Sequence, residues 1–105
     1  MSYDVDIGNY WWNYTSNLAE FFYKYIPDGI PGLDGLTGAQ AYDLIMESLL
    51  DVKHDVISLA DKKEKIPDKY DPDNGWGSTF GAVLALVQLA YECKKRPRQK
   101  LKVNY

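Results

Sequence analysis

The chain has 105 residues, of which 46% are hydrophobic and 26% charged, which bounds it to one globular domain and excludes a fibrous or low-complexity chain. Its formal net charge of −3 conceals a split: residues 1–93 carry six basic against fifteen acidic side chains, and residues 94–105 carry six basic and none acidic. Cys93 is the single cysteine, so an internal disulfide is excluded and a reducing cytoplasm is the expected setting.

The N-terminal stretch SYDVDIG alternates Tyr3, Val5 and Ile7 with Asp4 and Asp6, the period-two pattern of a half-buried strand. At the far end, Leu101, Val103 and Tyr105 alternate with Lys100, Lys102 and Asn104. The two segments are expected to pair antiparallel, with Asp4 and Asp6 beside Lys100 and Lys102 on the outer face.

Eight of the fifteen aromatic side chains fall between Gly8 and Tyr25. Asn17, with Glu20 three residues on, predicts a helix from about Leu18 to Ile26, ended by Pro27. Leu18, Phe21, Phe22 and Tyr25 share one helical face and belong to the core. Tyr10, Trp11, Trp12 and Tyr14 precede that helix, and helical periodicity does not account for them. Adjacent residues on an extended segment point to opposite sides, so at most one of Trp11 and Trp12 can be fully core.

Residues 29–38, GIPGLDGLTG, read as a loop. Thr37 and Gln40 then form a capping box. Ala41, Ile45, Leu49, Val52, Val56 and Leu59 follow at spacings of three and four, which predicts one amphipathic helix to about Lys62. On its polar face, Asp51, His54, Asp55 and Ser58 read as solvated surface. A second loop, residues 65–78, ends at Ser78, the expected cap of the last helix. Between Ala82 and Ala90 only Gln88 is not apolar, which predicts a central, buried helix that stops before Pro97.

No motif for a nucleophile, a phosphate loop or a dinucleotide fingerprint is present. The stretch DPDNGWGS (71–78) has glycine already at the fifth position counted from Asp71, which spoils the calcium-loop spacing. One cysteine and one histidine far apart make no zinc site. No cofactor or metal is expected, nor an enzyme. No apolar run follows Met1, so no signal peptide is expected, and the Phe80–Tyr91 run is too short to span a bilayer. The basic stretch KKRPRQKLK (94–102) has the charge for nucleic acid, but its strand-like alternation and the acidic body argue against that partner.

Three blocks, NYTSN (13–17), LDGLTG (33–38) and NGWGS (74–78), resemble a family of small uncharacterised proteins of bacteriophages and their bacterial hosts. The resemblance implies a phage-type accessory protein in the host cytoplasm and carries no chemistry or site residues with it. Each block ends at or near an expected helix start, with caps at Asn17, Thr37 and Ser78. Clustered helix starts would offer free amides to an anion.

The expected architecture is a compact α+β domain over residues 1–105, with three helices and a two-stranded sheet formed by the chain ends. The expected function is non-enzymatic binding of a host or phage protein. Tyr10, Trp11, Trp12, Tyr14, Asp34 and Trp76 form the candidate binding surface, with the acidic helix face beside them. The alternative is a small-molecule or nucleotide binder that uses the loops at the helix starts.

Overall fold

The computed structural model describes residues 2–61 and 78–105, with the backbone alone for 59–61. The loop 65–78 with its calcium-like turn, the lysines at 62, 63 and 65, and Trp76 lie outside the described residues, apart from Ser78. Among the described residues, alternation at both chain ends does produce strands. β1 (Ser2–Ile7) pairs antiparallel with β3 (Leu101–Asn104), placing Val5 opposite Val103 and Asp6 opposite Lys102.

The sheet nevertheless has three strands, not two. The segment Tyr10–Thr15 is β2, paired antiparallel with β1 from Ile7–Tyr10 to Ser2–Thr15, and the strand order is β2-β1-β3. Gly8, at φ +59°, opens the two-residue turn between β1 and β2, the position a type II′ hairpin turn reserves for glycine. Tyr3, Val5 and Ile7 of β1, Trp12 of β2, and Leu101 and Val103 of β3 are all buried on the same side.

Among the described residues, three helices cover that side. Thr15 caps a turn of 3-10 helix (Ser16–Leu18) by accepting from the Asn17 amide, and α1 (Ala19–Tyr25) follows with no side-chain cap of its own. The expected Asn17 cap is therefore displaced to Thr15. A second 3-10 turn, Ile30–Leu33, buries Ile30 and Leu33 within the expected loop. The capping box at the start of α2 (Gly38–Asp61) forms as expected: the Gln40 amide donates to Thr37 Oγ1 at 3.3 Å, and the Thr37 amide donates to Gln40 Oε1 at 3.0 Å. Ser78 Oγ accepts from the Gly81 amide at the start of α3 (Thr79–Lys95).

Helices α2 and α3 run antiparallel. The first residue of α2, Gly38, lies against the carbonyls of Cys93 and Arg96 at the end of α3, and the Lys94 ammonium sits over the Tyr42 ring. Leu86, Leu89 and Cys93 of α3 meet Phe21, Phe22, Ile45 and the sheet in one core.

The expected full burial of α3 is corrected. Phe80 is 71% exposed, and Leu84, Val87 and Tyr91 are each about half open or more. The sheet and α2 cover two sides of α3; among the described residues, no third layer lies over its remaining side.

Candidate functional site

Strand alternation decides where the expected surface residues go. Trp12 and Tyr14 share a face of β2, and both turn inward. The Trp12 ring is 4% exposed, and its Nε1–H donates to the Ala85 carbonyl of α3 at 2.8 Å. Tyr14 holds the start of α3. Its hydroxyl donates to the Ser78 carbonyl at 3.0 Å and accepts from the Ser78 amide at 3.3 Å. The two rings stack with centroids 6.3 Å apart, and Phe22 meets Tyr14 edge-on. These contacts join the hairpin to the helical layer, and they use the polar handles that buried aromatics need.

Tyr10 is half-buried below the Arg96 guanidinium, 5.6 Å from the ring centroid. Arg96 also bonds the Asn9 side chain, the Glu92 carbonyl and the Glu92 carboxylate, so it clamps the hairpin turn to the end of α3. Burial raises the Tyr10 phenol pKa, reinforced by Glu92 and opposed by Arg96. Beside this clamp, burial pushes the Cys93 thiol up to about 11, with Arg96 opposing and Glu92 adding to the shift. Cys93 is thus a protonated structural thiol, and the basic run after it does not activate it.

Asp34 has a structural partner on β3. One carboxylate oxygen accepts from the Val103 amide at 2.8 Å. Beside it, the Gly35 amide donates to the Leu101 carbonyl and the Leu101 amide to the Leu36 carbonyl. The 34–37 loop thereby covers the outer edge of β3, which would otherwise stand open to pairing.

Trp11 is the exposed member of the tryptophan pair, at 60%. Its Nε1–H and the Asn13 side-chain amide both donate to one oxygen of Asp4. Asp51, His54, Asp55 and Ser58 are exposed, as expected for the polar face of α2. Asp55 holds the Tyr25 hydroxyl at 2.7 Å.

Several of the first amides of α2 and α3 bond within the chain. At α2, Gly38 donates to the Gln99 carbonyl, Ala39 to the Pro97 carbonyl, and Gln40 to Thr37. At α3, Gly81 and Ala82 donate to Ser78. Among the described residues, no group of three or more His, Cys, Asp or Glu is placed to hold a metal ion, and no helix is long and apolar enough to cross a membrane.

Among the described residues, seven of the ten exposed large hydrophobic side chains lie on α2 and α3, and those on α3 fall where the sequence pattern had indicated core. Around α2 from its buried line (Ala41, Ile45, Val52), the half-buried Tyr42, Leu49 and Val56 come next, and then the exposed Met46, Leu50 and Ile57. Lys94 over Tyr42 places α3 on that shoulder, while Asp55 holds α1 on the other. Around α3, the exposed Phe80, Leu84, Val87 and Tyr91 lie beyond the shoulder formed by Val83, Ala90 and Lys94. The two exposed lines therefore flank one seam on the outer side of the helix pair. The signal for this face was the apolar excess of the Ala82–Ala90 run.

Comparison of the chain with protein-family models, with curated proteins and with solved structures gives no match.

Proposed function

We propose that this chain is a non-enzymatic accessory protein that acts by contact with another protein chain, through the outer face of α2 and α3. The observation that carries this reading is the seven-residue apolar face formed by Met46, Leu50, Ile57, Phe80, Leu84, Val87 and Tyr91. Their open area amounts to roughly 600–700 Å², at or above the largest patch a monomeric protein ordinarily shows. Aromatic and methionine side chains are the residues that interface cores favour.

The resemblance to small phage and host proteins supports a phage-type role in the host cytoplasm. A small-molecule or nucleotide site at the helix starts has less support, because the amides of Gly38, Ala39, Gln40, Gly81 and Ala82 already bond within the chain.

The test is affinity capture with tagged wild type and tagged Leu84→Asp, from a lysate that also contains untagged chain. A protein retained by wild type and lost by the variant supports the reading, whether that protein is foreign or the untagged chain. Equal retention by both baits, or none by either, removes the contact from this face.

A further inference from the structure

We infer that the occupant of the α2–α3 outer face is a second copy of this chain, joined across a two-fold axis; this inference rests on reading that face as a contact surface. Two observations point to a copy. The first is the pattern. Phe80, Leu84, Val87 and Tyr91 are spaced four, three and four apart, the alternation of a helical seam that packs against another helix. The sequence of spacings reads the same in both directions. When the two α3 helices meet antiparallel, Phe80 of each copy faces Tyr91 of the other, and Leu84 faces Val87. That self-complementarity is what an isologous two-fold interface requires.

Helix α2 repeats the pattern at Met46, Leu50, Lys53 and Ile57, again four, three and four apart. An antiparallel pairing of the two α2 helices about the middle of that run brings Met46 to Ile57 and Leu50 to Lys53. The aliphatic stem of Lys53 covers apolar surface while its ammonium reaches outward. A lone polar residue in such a seam fixes register and copy number at some cost in stability.

The second observation is area. Roughly 600–700 Å² open on each copy gives about 1,200–1,400 Å² buried in total, within the range of stable specific interfaces. The assembly is a four-helix layer with a three-stranded sheet on each outer side. In it, α3 gains the cover that its nearly continuous apolar sequence implies.

Sedimentation equilibrium on wild type, Leu84→Asp and Trp11→Ala tests the inference, with far-UV circular dichroism confirming that each variant folds. Wild type and Trp11→Ala are expected to sediment as dimers at micromolar concentration, and Leu84→Asp as a folded monomer. Should Leu84→Asp fail to fold, Val87→Lys replaces it. A wild type that stays monomeric at every concentration, or a dimer that neither substitution disturbs, overturns the inference. A monomeric wild type that still captures a foreign protein, with capture lost in Leu84→Asp, overturns the second copy but leaves the contact reading standing. A monomer with no captured protein removes both.

Discussion

Trp11 and Trp12 are neighbours in the chain with opposite surroundings, because a strand turns successive side chains to opposite faces. Trp12 packs on Tyr14 and bonds the Ala85 carbonyl, while Trp11 rests in solvent with Asp4. Trp12→Ala is expected to lower the unfolding free energy by about 3–5 kcal/mol, and Trp11→Ala by no more than about 0.5 kcal/mol. Urea titrations of both variants, read by circular dichroism, check the pair; equal losses would mean the faces are misassigned. Cys93 gives a second outcome at this scale. Its folded pKa of about 11 lies above the ordinary 9.0, so the protonated thiol favours the native state. That contribution is whole below pH 9 and is lost as pH rises from 9 to about 11. The raised phenols of Tyr3 and Tyr10 act in the same direction above pH 10. Melting temperature should therefore fall on the alkaline side, and less steeply in Cys93→Ala when each protein is compared with its own value at pH 8. An identical slope would show that the thiol does not contribute.

At the scale of elements, start signals were legible at α2 and α3, while the cap expected at Asn17 falls to Thr15. Thr37 with Gln40 and Ser78 with Gly81 form as the sequence implies. β2 was legible too, since Tyr10, Trp12 and Tyr14 alternate with Trp11 and Asn13 after a Gly-Asn turn, but with aromatic residues on both faces the alternation lacks the apolar–polar contrast that marks a half-buried strand. Asp34 carried no readable signal. Its role depends on β3 arriving from sixty-nine residues away, and no local pattern encodes that meeting. Gly38 was equally silent: it is glycine because a Cβ there would run into the Arg96 carbonyl. Gly38→Ala should force α2 and α3 apart and cost about 1–3 kcal/mol, despite alanine's better helix propensity. A stabilised Gly38→Ala protein would show that the helices do not approach so closely. Removal of residues 101–105 deletes β3 with the buried Leu101 and Val103, and should lower the melting temperature by about 10 °C or more. An unchanged melting curve would leave the basic tail free of the sheet.

At the scale of the whole molecule, α3 carries more apolar surface than the described residues of one copy cover. Leu86 faces the core and Val87 the outer seam, although the two read alike in the sequence. An aspartate at Leu86 should unfold the domain, since an unpaired buried charge costs several kcal/mol, comparable to the whole stability. An aspartate at Val87 should leave the monomer folded. Because association stabilises only the native state, a dimeric wild type gains stability with protein concentration by mass action. Its melting temperature should rise across a hundredfold increase in concentration. The Val87→Asp curve should stay flat and meet the wild-type value at the dilute end. A flat wild-type curve would mean that nothing couples folding to a second copy; a rising Val87→Asp curve would move the two-fold contact to some other face.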